Sequence, residues 1–144
     1  MDPTDTEILK LLEQDGRTSY AAIGREVGLS TAAVKRRVER LEADQIIRGY
    51  SARVDYTKLG LVLEAFIELR FTGSLATEDI WKSTENIPEI QAVYTTAGDV
   101  DALVHARARD VSHVSDLLGE LRRKRQIIGT RTLIVMETRT RATG

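Results

Sequence analysis

The sequence predicts an α+β protein, an N-terminal winged helix-turn-helix domain followed by a ferredoxin-like βαββαβ domain. Three observations carry this. Residues 18–43 read as two short helices joined at Gly28-Leu29, with cations crowded onto the second. At Leu61 the apolar period shifts from that of a helix to that of a strand. The segments that follow run in the order β-α-β-β-α-β, the split βαβ arrangement. The expected boundaries are residues 1–54 for the first domain, 55–60 for a linker and 61–144 for the second.

The first helix is expected over Asp5–Gln14, where Ile8, Leu9, Leu11 and Leu12 recur at helical spacing and Thr4 or Asp5 can cap. Asp15-Gly16 ends it. In the next helix Ile23 and Val27 stack four residues apart. Gly28 then stands where a left-handed backbone commonly closes a helix, and Ser30 can accept from free N–H groups of the helix after it. In that third helix Val34, Val38 and Leu41 define a buried stripe. Ile46–Val54 has β-branched and aromatic residues around a glycine and reads as a hairpin, the wing.

In the second half, Leu63, Ala65, Ile67, Leu69 and Phe71 alternate with Glu64, Phe66, Glu68 and Arg70, a strand with one apolar and one mixed face. A helix is expected from about Ala76 to Glu85, stopped before Pro88. Strands over Ala92–Ala97 and Asp101–Ala106 flank the turn Gly98–Val100. Asp110 caps a helix carrying Val111, Val114, Leu117, Leu118 and Leu121, and a last strand is expected over Thr130–Glu137. In this fold both helices cover one face of the sheet. The last strand is nonetheless apolar on both sides, with Leu133 and Val135 against Ile134 and Met136, so a second copy is expected to pack sheet against sheet as a homodimer.

Composition narrows the function classes. A hydrophobic content of 42% in 144 residues supports a core. No apolar run reaches the roughly 20 residues of a membrane span, no secretion signal opens the chain and no cysteine is present. A cytoplasmic protein without membrane partners is the expectation. The net charge is only −1, but nucleic-acid binding needs a local basic face, and the cations between Lys35 and Arg53 outnumber the acids there.

That face points to double-stranded DNA. Ser30, Thr31 and Ala32 make a small first turn through which a helix backbone can approach a major groove, and long cations follow. Lys35 and Arg36 are the candidates for base-edge contact. Arg37, Arg40, Arg48 and Arg53 are candidates for phosphate contact, which positions but does not specify. Arg37 lies toward the buried stripe, so pairing with an acidic residue inside the domain is the competing role. The alternative for the whole helix is an ordinary solvated face.

Two readings stand for Gly98-Asp99-Val100-Asp101. It is either a hairpin of favoured turn residues or a small-molecule site. In the second, glycine permits close approach to backbone N–H groups and Asp99 or Asp101 holds an ammonium group. Thr96, Thr130 and Thr132 could add hydroxyls. Those two carboxylates lack a third metal ligand nearby, and His105 and His113 read as structural or surface residues. No nucleophile motif is present and Gly98 alone is no phosphate loop. No catalytic residue, metal or cofactor is therefore expected.

Taken in order, these residues resemble the Lrp/AsnC family of transcriptional regulators over nearly the whole chain. The matching pattern includes Asp5, Ile8-Leu9, Asp15-Gly16-Arg17, Val27-Gly28-Leu29-Ser30, Arg36-Arg37-Val38, Leu41-Glu42, Gly49-Tyr50, Leu59-Gly60, Gly98-Asp99-Val100-Asp101 and Thr130-Arg131-Thr132. The resemblance implies a dimer, often assembled to tetramers or octamers. It implies binding of promoter DNA through the N-terminal domain and of an amino acid or related small molecule in the C-terminal one. Gln45 stands where the family commonly has glycine, and Lys124-Arg125-Gln126 where it commonly has Leu-Pro-Gly, so these two turns are the places to compare. Two other functions compete with a regulator. A siroheme decarboxylase-like enzyme on the same fold would be distinguished by a bound pigment, and a nucleoid-organising protein by weak sequence preference.

Overall fold

The computed structural model describes residues 2–73 and 76–139. The chain forms two compact units, one over residues 2–53 together with Arg139 and one over Val54–Thr138. The outermost residues of the two expected domains, 1 and 140–144, lie outside the described residues, as do 74 and 75.

The first unit is three helices, α1 (Pro3–Gln14), α2 (Tyr20–Val27) and α3 (Thr31–Ala43). Ile8, Ile23, Val34 and Val38 are fully buried together, each removing a side chain from water for roughly 1.5–3 kcal/mol. Gly28 closes α2 at φ 70°, as its position predicts, and Ser30 caps α3 by accepting from the Ala33 N–H at 3.2 Å. The cap of α1 differs from expectation. Asp2 accepts from the Thr4 N–H at 2.7 Å and Pro3 takes the first helical position, which frees Asp5 for another role.

No wing hairpin forms: residues 46–55 contain no strand. The Leu41 carbonyl accepts from the N–H groups of both Ile46 and Ile47, so the first arm of the expected hairpin has its donors drawn back to α3. Gly49 then turns the chain at φ 146°, and the Tyr50 hydroxyl donates to Glu42 at 2.8 Å. Ile46, Tyr50 and Val54 remain about half exposed.

The second unit opens with a short 3-10 helix (Tyr56–Leu59) and continues through β1 (Leu63–Phe71), α4 (Thr77–Lys82), β2 (Ile90–Thr95), β3 (Ala102–Ala108), α5 (Val111–Arg123) and β4 (Ile127–Ile134). The sheet is antiparallel with strand order β2-β3-β1-β4, the expected ferredoxin-like topology. Its inner face, Ile67, Leu69, Phe71, Ala102, Val104 and Ala106, buries against Ile80 and Ile87 on one side and Leu117 and Leu121 of α5 on the other.

Element edges shift for identifiable reasons. The helix α4 ends at Lys82 because the Ser83 and Thr84 hydroxyls donate to the Ile80 and Trp81 carbonyls at 2.7 and 2.9 Å, drawing the last turn away from a helix. The last strand starts three residues earlier than expected. Ile127 pairs with Phe71, and Gly129, which suggests a break in sequence, sits opposite Arg70. It also ends at Ile134, leaving Val135 one further bond to the Glu64 carbonyl.

The other sheet face carries Phe66 stacked on His105 with centroids 5.0 Å apart. Glu64 beside them receives His105 and Arg107, and Arg107 also lies over the Tyr56 ring at 4.6 Å. Leu133, opposite Phe66, and Tyr94, opposite Leu103, are about half exposed on this face. No helix of the described residues is long and apolar enough to cross a membrane.

Candidate DNA interface and effector site

Helix α3 turns its buried stripe inward, so the face named from the sequence is exposed. Ser30, Thr31 and Ala32 open it, and Lys35 and Arg36 follow. Arg36 makes no ion pair or hydrogen bond among the described residues. Lys35 approaches Glu39 at 3.7 Å with both side chains more than half exposed, a pair too solvated to hold the ammonium in place. Arg48 and Arg53 are exposed on the irregular segment after α3 rather than on a wing.

Arg37 and Arg40 behave differently. Arg37 donates to Asp5 at 2.8 Å and to Asp2 at 2.5 Å, the pairing its position near the stripe anticipated. Arg40 donates to the second oxygen of Asp5 at 2.6 Å. The Asp5 side chain is only 4% exposed, so one carboxylate at the start of α1 grips two turns of α3. The hydrogen bond from Arg37 holds the Asp2 carboxyl below the usual carboxylate range, and Asp5 and Asp2 in turn raise Arg37. In the sequence Asp5 reads only as a cap. Its signal was there, since Asp5 and Ile8 lie three residues apart on the face α1 turns inward.

Gly24 is a second unforeseen position. A Cβ there would lie 2.5 Å from the Leu29 carbonyl oxygen, and the Leu29 N–H donates to the Gly24 carbonyl at 2.9 Å. The turn between α2 and α3 closes only over a glycine.

In the second unit, Asp99 and Val100 border a cavity of about 270 Å³. Glu68, Arg70 and Arg131 form its strand side, with Gly129 and Thr130 beside them. Arg131 donates to Glu68 at 2.6 Å, which raises the guanidinium further. Charges of both signs thus face one small volume. Nothing in the sequence singles out Glu68, Arg70 and Arg131 as site residues, although the first two stand on the polar phase of β1.

Asp101, Thr96 and Gly98 hold the turn rather than line the cavity. Asp101 accepts from the Phe71 N–H at 2.7 Å and donates its own N–H to the Leu69 carbonyl, pinning the β2–β3 turn to the bulge between Arg70 and Phe71. One oxygen of its carboxylate is therefore engaged by backbone, and of the two acids offered as ammonium ligands it is Asp99 that borders the cavity. The Thr96 hydroxyl donates to the Val100 carbonyl at 2.6 Å. Gly98 supplies φ 149°. Thr130 and Thr132 pair with Leu69 and Ile67, which puts their side chains on the helix-covered face, and Arg122 donates to the Thr130 hydroxyl at 2.9 Å. Of the two, only Thr130 borders the cavity. His105 and His113 are both engaged in the fold, His113 against Glu89 at 2.8 Å. No group of metal-ligating side chains occurs among the described residues.

Comparison with known proteins matches the AsnC-type helix-turn-helix domain to residues 1–42 and the Lrp/AsnC ligand binding domain to residues 64–144. The HTH-type transcriptional regulator Rv2324 of Mycobacterium tuberculosis is 33% identical over 136 residues, 94% of this chain and 92% of that protein. The leucine-responsive regulatory protein of Escherichia coli K12 is 35% identical over 142 residues, 95% of this chain and 85% of that one. A Neisseria meningitidis transcriptional regulator, solved in complex with L-methionine, superposes with a TM-score of 0.91 at 27% identity, covering 98% of this chain and 93% of that one.

Proposed function

The chain belongs to the Lrp/AsnC family of transcriptional regulators, and we propose that it binds promoter DNA through α3 and answers to an amino acid bound beside Asp99. One observation carries the DNA reading. Arg36, unpaired among the described residues, stands on an exposed helix face whose first turn, Ser30 to Ala32, is small enough for the backbone to approach base edges. Lys35 is the second candidate for groove contact. Arg48 and Arg53 supply phosphate contacts, and a duplex partner places the protein in the cytoplasm. In a two-fold dimer, two copies of α3 address half-sites about one helical turn, or multiples, apart.

The cavity suits a zwitterion. Arg70 is a partner for an α-carboxylate, and Asp99, with Glu68 behind it, for an α-ammonium group. The L-methionine bound to the Neisseria meningitidis regulator is a precedent for the ligand class. The homodimer is assigned to the open sheet face around Phe66 and Leu133, where apolar side chains lack a covering layer in the single chain.

The deciding experiment is the electrophoretic mobility of the protein's own promoter fragment with and without an amino-acid pool. Retardation that the pool alters is expected. Arg36→Ala should weaken operator binding by roughly tenfold or more, the scale of one lost base contact of about 1–3 kcal/mol, with little change on random duplex. Wild-type operator affinity in that variant at fixed salt would remove α3 from the reading. For the effector, calorimetry across the twenty amino acids should find a binder that Asp99→Asn weakens. Finding none would return the loop to a plain hairpin.

A further inference from the structure

Four cations occupy α3, yet the fold leaves them unequal. Arg37 and Arg40 share the Asp5 carboxylate, one on each oxygen, and Arg37 takes Asp2 as well. The four charges of that cluster sum to zero. Among the described residues Arg36 has no partner and Lys35 has only its loose contact with Glu39. The Asp5 side chain is buried while that of Arg40 is 54% exposed, so the acid acts from inside the domain on a guanidinium that stands at the surface.

We propose that Asp5, assisted by Asp2, is a specificity-determining residue: by neutralising Arg37 and Arg40 within the fold it withholds two positive charges from the DNA backbone. This rests on the reading of α3 as the duplex-facing helix. The physical reason lies in how proteins bind nucleic acid. Each cation that neutralises a phosphate releases counterions and adds affinity for any sequence, while discrimination comes from base contacts. On the operator, base contacts fix the register of the helix, whereas on random duplex a free guanidinium can settle on any phosphate, so unpaired cations favour the random complex more than the specific one. Pairing two of them internally lowers that background and leaves Arg36 and Lys35 to read the groove. What matters in use is the ratio of specific to non-specific binding, not the affinity alone. Asp5 is thus a positioning and screening residue, one that need not touch DNA itself.

The test uses full-length Asp5→Asn and Asp2→Asn. Asn caps helices about as well as Asp, so Asp2→Asn keeps the start of α1 intact. Binding to operator and to random-sequence duplex is followed by fluorescence anisotropy over a range of salt concentrations. In Asp5→Asn the slope of log affinity against log salt on random duplex should steepen by about one to two per protomer, one for each cation released. Random-duplex binding at low salt should tighten and the operator preference should shrink. Asp2→Asn should move in the same direction by a smaller amount. A merely structural ion pair would leave these slopes where they were. Wild-type slopes and wild-type preference in the folded variants overturn the proposal, and if Asp5→Asn does not fold, Asp2→Asn decides it alone. A wild-type protein that binds operator while both variants behave like it defeats only this inference; a wild-type protein that binds neither duplex defeats the DNA reading as well.

Discussion

Gln45 shows what a single residue costs at a helix end. It stands at φ 55°, where its N–H bonds the Glu42 carbonyl and the next N–H, of Ile46, reaches back to Leu41. That pair of bonds is the Schellman closure, whose left-handed position is ordinarily glycine. With Gln45 at the position where the family commonly has glycine, the turn keeps a left-handed residue and places a side chain in a strained backbone. Its amide recovers part of the loss by donating to the Glu42 carbonyl at 3.1 Å. Gln45→Gly should raise stability by about 1 kcal/mol, the usual scale for a residue relieved of a left-handed conformation. Thermal unfolding of the full chain would register it, and a lower melting temperature would show the amide contact to outweigh the strain.

Among elements, the tie between α1 and α3 has a pH dependence of definite sign. Asp2 is held below its ordinary value of 3.8, chiefly by the hydrogen bond from Arg37 and then by the Thr4 N–H. A carboxyl depressed in the folded state contributes stability that is fully present above its unfolded value and is lost as pH falls through the folded one. Acidification below about pH 4 should therefore loosen the helical unit, and Asp2→Asn should flatten that part of the profile in far-UV ellipticity. An unchanged profile would mean that other carboxylates carry the acid transition. The same elements illustrate how local context overrides propensity. Ile46, Ile47 and Tyr50 favour strand, yet the closure of α3 consumes the donors that a hairpin would need.

At the scale of the whole molecule, the open sheet face is where a second copy is proposed to pack. Leu133 is 48% exposed opposite Phe66, on a face that also holds the Glu64, His105 and Arg107 cluster. If two copies meet there, Leu133→Asp places an unpaired charge in an apolar contact, at a cost of several kcal/mol. Sedimentation should then report monomer where the parent gives dimer or larger. Far-UV ellipticity should stay unchanged, because the core behind the sheet is untouched. Persistence of the parent's sedimentation would move the interface elsewhere.

The sequence by itself determined the two-unit plan, the three helices with their buried stripe, the strand order and the exposed basic face. All of these follow from periodicity and from caps such as Ser30, Gly28 and Asp110, whose causes lie within a few residues of their effects. Tertiary structure alone decided which cations of α3 are free, because Asp5 meets Arg37 and Arg40 across more than thirty positions of chain. It likewise decided that Glu68, Arg70 and Arg131 face Asp99, while Asp101 and Thr132 serve the turn and the covered face. Pairing between distant segments fixes where a charge ends up, and a one-dimensional pattern carries no record of that distance.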